Sequence, residues 1–263
     1  MENLSRELMY ELAGRTYAAE KANCSIEPVT DTYPDITLEQ AYAIQIMREE
    51  QMTAEGHRVI GGKMGLTSFA KMKQMGMTKS TYGRLFDYML LQPEEDLRID
   101  ECIHPRVESE IAFVLKEDLR GPYITSVDVM NATEYVSPAF EIIDSRYHEF
   151  KFRLCDGVMD NISAKKFKLS AKKFGPKDID LITAGVTISV NGEDRIFGAG
   201  GAVLGHPARA VAAYANLLAE TGRFIKKGDI VLSGAITAAT PVKKGDYIKS
   251  EFLDMGFIDL HVV

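Results

Sequence analysis

Cysteine is scarce: three residues in 263, at positions 24, 102 and 155, form neither a C-x-x-C pair nor an even set. That excludes a disulfide framework and a dithiol metal or redox motif, and it suits a reducing cytoplasm. Basic charge is also in short supply, since 31 lysines and arginines face 38 acids for a net charge of −7. Such a chain lacks the basic face that phosphate backbones require, so nucleic acid is excluded as a partner, and the short basic runs such as SAKKFKLSAKKF read as solvated loops. No apolar run approaches membrane-spanning length, and the first residues, MENLSRELMYELAG, lack the apolar centre of a secretory signal. The expectation is an intracellular chain with no membrane partner. The five histidines, at 57, 104, 148, 206 and 261, show no metal-ligand spacing. The glycine-rich GAGGAVLG, residues 198–205, departs from the dinucleotide fingerprint in spacing and lacks a second βαβ unit, so it reads as a tight turn before a helix. There are no internal repeats and no low-complexity linker.

What is present is an apolar fraction of 46%, enough for one large domain or one domain with a helical appendage. SRELMYELAGRTYAAEKA carries apolar residues at helical spacing. A second helix follows in DITLEQAYAIQIMREEQMTAEG, with Thr37 and Gln40 spaced as a capping box and Gly56 as a stop. From residue 58 onward short extended runs alternate with turn signals. Asn191-Gly192 marks a hairpin, Pro207 opens a later helix that ends before Gly222, and the last thirty-odd residues return to strands. The pattern predicts an α+β chain, with a helical region over 1–57 and a β-rich body over 58–263.

HPRVESEIAFVL, residues 104–115, reads as a strand that carries two acids. Strand side chains alternate between faces, which puts Glu108 and Glu110 together with Ala112 and Val114, and Val107, Ser109, Ile111 and Phe113 on the other side. Both faces are largely apolar, as in a strand covered on both sides. Carboxylates buried there require a cation or another partner. Glu141 in PAFEII repeats the pattern. Three glutamates without clustered histidine or cysteine make an all-oxygen set, which suits Mg²⁺ or Mn²⁺ over zinc or copper. The alternative from pattern alone is three solvent-facing acids paired with Arg106 or Arg146. Lys63 in GGKMGLTS poses a similar choice. Among glycines that let a ligand approach, it is either desolvated and fit for proton transfer or Schiff-base chemistry, or a surface lysine beside a bulge.

In order and spacing, GGKMGLTSFAKMKQMGM, YGRLFDYM, HPRVESEIAFVL, PAFEIIDSRYHEFKF, DNIS, GAGGAVLGHP and LSGAITAA resemble the hydratase/decarboxylase group of the fumarylacetoacetate hydrolase superfamily, over nearly the whole chain. Its decarboxylase branch is the nearer likeness. The resemblance implies helices followed by a β-rich mixed roll, a Mg²⁺ or Mn²⁺ ion held by residues matching Glu108, Glu110 and Glu141, and Lys63 as the active-site lysine. The implied reaction is metal-dependent loss of CO₂ from the 2-oxo dicarboxylic acid 2-oxo-3-hexenedioate, leaving 2-hydroxypenta-2,4-dienoate, in the meta-cleavage catabolism of aromatic compounds. Hydration of that dienoate, or hydrolysis of an acylpyruvate, is the alternative. Asp87 is a candidate for proton transfer, and Tyr88 stands where many hydratase-like relatives have a second acid, which would spare a distal carboxylate from repulsion. Ser163, Thr237 and Arg146 are candidates for substrate binding, with Arg146 equally open to an ion-pair role. The resemblance also implies a homo-oligomer and a complex with the hydratase that consumes the product.

Overall fold

The computed structural model describes residues 4–74 and 76–263. Three helices come first: α1 (Arg6–Ala22), α2 (Val29–Thr32) and α3 (Leu38–Ala54). Ser5 caps α1 by accepting the Leu8 N–H, and Asn23 ends it in a left-handed conformation at φ 47°. The capping box of α3 is formed as expected: Gln40 N–H donates to Thr37 Oγ1, and Thr37 N–H donates to Gln40 Oε1. These helices bury Leu12, Ala13, Val29, Ala41 and Ile44 against Val158 and Met159 of the later helix α6 (Leu154–Met159). The helical layer therefore takes one element from the body of the chain.

The body begins with β1 (Val59–Gly65), α4 (Phe69–Gln74), β2 (Thr81–Phe86) and β3 (Leu90–Leu91). Next come β4 (Arg106–Leu115), α5 (Ser126–Ala132), β5 (Thr133–Ile143) and, after α6, β6 (Ala164–Leu169). The hairpin at Asn191-Gly192 joins β7 (Gly185–Val190) to β8 (Glu193–Ala199). Both turn residues have positive φ, as a two-residue turn of this hand requires. After a 3-10 turn at Gly200–Ala202 comes α7 (Pro207–Ala219), with its proline in the first turn. The chain closes with β9 (Ile230–Leu232), β10 (Thr240–Pro241), β11 (Tyr247–Phe252) and β12 (Gly256–His261).

The strands form two sheets. The larger runs β2-β1-β9-β4-β5-β6-β3, with β10 paired to one end of β4; the smaller runs β12-β11-β7-β8. β4 lies near the middle of the larger sheet, and both of its faces are covered. Val107, Ile111 and Phe113 join Phe140, Ile142 and Val231 in the main core, beneath α7 and the small sheet. Ala112 on the other face joins Ala139, Phe167 and Leu232 under Tyr17 of α1 and Met52 of α3. Each large apolar side chain buried in this way contributes about 1.5–3 kcal/mol. The acids of β4 are on the second face, where the helical layer closes the roll. Among the described residues, no helix is long and apolar enough to cross a membrane.

Candidate metal centre

β4 and β5 pair antiparallel in unbroken register from Arg106 to Val114, with Glu108 opposite Glu141 and Glu110 opposite Ala139. Paired residues of adjacent strands share a face, so all three glutamates converge. One carboxylate oxygen from each lies within 4.8 Å of the others. Glu110 and Glu141 are buried, whereas Glu108 keeps partial access to solvent. Burial, followed by the charge of Glu141, pushes the Glu108 carboxyl up to about 7. The same causes, joined by the charge of Glu108, hold Glu110 well above the ordinary carboxylate range. Three acids this close are unfavourable together without positive charge.

The chain supplies part of that charge. Lys63 Nζ lies 2.8 Å from Glu141 Oε1, and the Gly234 N–H donates to Glu110 Oε2 at 2.7 Å. Lys63 is 2% exposed, so its ammonium is not in bulk water. Lys63 pairs with Leu232 on β9, and Leu232 with Ala112 on β4, so Lys63 and Glu141 are three strands apart. On a flat sheet three strands span roughly 14 Å, and Glu141 lies four residues beyond Ser137, the residue opposite Ala112, which adds roughly 13 Å along the strand and makes the diagonal about 20 Å. Coiling of the sheet and the reach of both side chains close the gap. Glu110 Oε1 and Glu141 Oε2 remain buried without a hydrogen-bond partner. Orphaned carboxylate oxygens in an all-oxygen cluster fit a hard divalent cation such as Mg²⁺ or Mn²⁺, and only poorly a thiophilic metal.

Two backbone segments wall the cluster. The first follows β9 and stays beside β4: Ser233 N–H donates to Ile111 O and Ile236 N–H to Ser109 O. Gly234, at φ +104°, turns its amide toward Glu110, a conformation open chiefly to glycine. Thr237 Oγ1 accepts the Ser109 N–H at 3.3 Å, between Glu108 and Glu110 of β4. In the second segment Asn161, Ile162 and Ser163 all have φ near +50°. A β-branched residue in that region is strained. The Asn161 side chain brackets the Arg84 backbone, accepting its N–H at 2.7 Å and donating to its carbonyl at 2.9 Å. Ile162 then rests on Gly65, where a Cβ would meet its Cγ2 at 2.8 Å. Gly65 shares a strand face with Lys63. Ser163 is buried beside Asp160, its Oγ 3.5 Å from Asp160 Oδ2.

Other residues singled out in the sequence lie elsewhere. Asp87 accepts from the Arg58 backbone and Nε at 3.1 and 3.0 Å. It is four residues beyond Gly83, the partner of Lys63, and so roughly 13 Å along the strand from the lysine. Tyr88 donates its hydroxyl to Glu20 Oε1 at 2.6 Å, on the side of the helices. Arg146 is fully buried and commits its guanidinium to Asp160 and to the carbonyls of Asp144 and Ala164. It pairs with none of the three glutamates. The Gly234 amide was not anticipated; its signal was the glycine of LSGAITAA directly after a strand.

No family model matches the chain. Among curated proteins it is 44% identical to the 4-oxalocrotonate decarboxylase of Pseudomonas sp. (strain CF600), over 93% of each chain. It is 38% identical to the 2-hydroxyhexa-2,4-dienoate hydratase of Comamonas testosteroni, over 92% of each. Among solved structures, 4-oxalocrotonate decarboxylase from Pseudomonas putida G7, complexed with magnesium and adipate, superposes with a TM-score of 0.97 at 40% identity over all of both chains. With its fold, its glutamate cluster and these relatives in agreement, the chain belongs to the hydratase/decarboxylase group of the fumarylacetoacetate hydrolase superfamily.

Proposed function

We propose that this protein is a divalent-metal-dependent carboxy-lyase acting on 2-oxo-3-hexenedioate, also called 4-oxalocrotonate, to release CO₂ and 2-hydroxypenta-2,4-dienoate. The observation that carries the reading is the buried cluster itself: three glutamates and one lysine ammonium, with two carboxylate oxygens unpartnered. The higher identity to decarboxylases, 44% and 42%, than to hydratases, 40% and 38%, supports carboxy-lyase chemistry over hydration.

Glu108, Glu110 and Glu141 would hold the metal. When bound, it supplies a Lewis acid for the 2-oxo acid end of the substrate, favouring the electron flow that follows loss of the distal carboxylate. Lys63 has two tasks. Its charge offsets part of the triad, and its Nζ, fixed 2.8 Å from Glu141 Oε1, is the group that carries a proton at the reacting centre. The Asn161–Ser163 segment walls the cluster beside Lys63, with Ile162 against Gly65, and the apolar cluster under α1 and α3 closes the Ala112 end of the same face. Thr237 Oγ1 already accepts from Ser109, which leaves its own O–H for a substrate oxygen, and Ser163 is our second hydroxyl contact. Asp87 and Arg146 are given no chemical step, because their side chains are committed to other partners.

The test is a product assay on 2-oxo-3-hexenedioate with Mg²⁺, following CO₂ and the dienoate together. Stoichiometric CO₂ with little consumption of the dienoate is expected. Rapid hydration of the dienoate to 4-hydroxy-2-oxopentanoate, with no CO₂ from the diacid, would instead assign the hydratase activity. We further propose that the chain works in the cytoplasm, as a homo-oligomer associated with the hydratase that consumes its unstable product. Two chains of one fold can share an interface geometry. Co-expression and affinity purification should recover the hydratase, and its loss even at low salt would count against the complex.

A further inference from the structure

Exposure along the ligand face of β4 changes in one direction, from buried Glu110 to partly exposed Glu108 to partly exposed Arg106. The register is unbroken here, so all three residues point the same way. The cluster therefore opens at its Arg106 end. Among the described residues Arg106 has no ion-pair partner, although three carboxylates lie farther along its own face. Instead its guanidinium carbon sits 4.2 Å from the centre of the Phe150 ring. The same ring also meets His104, at 4.9 Å, and Phe152, at 6.5 Å between centroids. Phe150 is presented by a left-handed backbone, with φ +52° at Glu149 and +58° at Phe150, an arrangement that is strained for both side chains. Stacking on an aromatic face holds a guanidinium flat while leaving its in-plane N–H donors free.

We infer that Arg106, held by Phe150, receives the second carboxylate of the substrate and makes the site selective for dicarboxylic 2-oxo acids. The inference rests on the assignment of the glutamate cluster as the site that takes the 2-oxo acid end. Two residues along a strand advance about 7 Å, the spacing between Glu108 and Arg106. The two carboxyl carbons of an extended six-carbon diacid are about 6 Å apart, at roughly 1.25 Å of advance per bond. A diacid anchored by one end near Glu108 thus reaches the guanidinium with the other. A planar fork matches a carboxylate with two parallel hydrogen bonds, which a point charge does not. Lys71 of α4 also bears on Glu108 electrostatically, but it is exposed, and among the described residues no ion pair or ring contact fixes its position.

Two unreactive probes isolate the effect. 2-Oxoadipate and 2-oxohexanoate are saturated, cannot lose CO₂ through a conjugated system, and differ only in the distal carboxylate. Binding of each to the Mg²⁺-loaded protein is measured by titration calorimetry, with Mg²⁺ affinity measured on the same samples. The wild type should prefer 2-oxoadipate by tenfold or more. Arg106→Leu should erase the preference while leaving the affinities for 2-oxohexanoate and Mg²⁺ unchanged. Arg106→Lys should keep part of it, and Phe150→Leu should reduce it without abolishing it. The inference is overturned if Arg106→Leu keeps the preference, if it weakens both probes equally, or if Lys71→Met is the variant that erases the preference. Because the readout is binding, absence of CO₂ release by the wild type would reject the decarboxylase reading without touching this one. Normal CO₂ release with an undiminished diacid preference in Arg106→Leu would do the reverse.

Discussion

Replacing Glu110 with glutamine separates the structural role of the cluster from its metal-binding role, because the two respond in opposite directions. With one carboxylate oxygen of each residue within 4.8 Å of the others, each like-charged pair repels by ~3–4 kcal/mol at an effective dielectric of about 20. Glu110 takes part in two such pairs, and the Lys63 ammonium compensates for about one. Protonation of the chelated wild type relieves part of what is left, so Glu110→Gln should stabilise the metal-free protein by about 1–3 kcal/mol. The amide oxygen of glutamine still accepts the Gly234 N–H, and the shape is kept. A chain of this size shifts its Tm by about 2–4 °C per kcal/mol, so the chelated variant should melt about 5 °C above the chelated wild type. Addition of Mg²⁺ should then raise the Tm of the wild type and leave the variant unmoved, while turnover of the variant falls by orders of magnitude. Differential scanning calorimetry with and without chelator reads all of this except turnover. A chelated variant that melts below the chelated wild type, or a Mg²⁺-dependent rise equal to that of the wild type, would refute the electrostatic reasoning.

Lys63→Met should lower turnover by orders of magnitude while Mg²⁺ binding survives; it should also destabilise the metal-free protein by about 3–5 kcal/mol, since it leaves a buried carboxylate without its cation. Near-normal turnover in that variant would remove Lys63 from the chemistry. His206 gives a pH signature away from the site. Its Nδ1 accepts the Ala208 N–H at the start of α7, and burial, with Arg209 nearby, holds its pKa below the ordinary histidine value. The unfolded chain therefore binds this proton more readily, so the contribution of the cap is complete above about pH 6.5 and is lost as pH falls below it. His206→Ser, which caps without titrating, should flatten the Tm profile below that pH relative to the wild type. Parallel profiles for the two proteins would show that the imidazole cap has no such role.

The sequence revealed features that depend on near neighbours. The capping box at Thr37 and Gln40, the hairpin at Asn191-Gly192 and the helix opened by Pro207 are local, and each is found where its signal lies. The acids of β4 could be placed on one face by strand alternation alone. Lys63 could not be joined to Glu141 in the same way, because their contact depends on how far a sheet coils across three strands. Arg146 and Asp87 show the converse. Their types and positions suit substrate binding and proton transfer, but the partners they take, Asp160 and Arg58, are close to them only in the folded chain. The left-handed run at Asn161–Ser163 has no glycine to announce it. Its conformation is imposed by Asn161 gripping the Arg84 backbone, a contact across 77 residues.

The origins of the cluster's charges also bear on how the chain reaches its native state. The three acids come from a single strand pair, β4 with β5, whereas the ammonium and the amide that offset them arrive on β1 and β9, from distant parts of the sequence. A partly folded intermediate holding only the β4–β5 ladder would carry its negative charges uncompensated. While the strand pair is still solvated, water screens their repulsion to about 1 kcal/mol per pair of acids, and it grows severalfold only as the rest of the sheet closes over them. The three carboxylates can therefore converge as soon as β4 and β5 pair, but they gain the lysine and the amide only when β1 and the segment after β9 have joined the sheet.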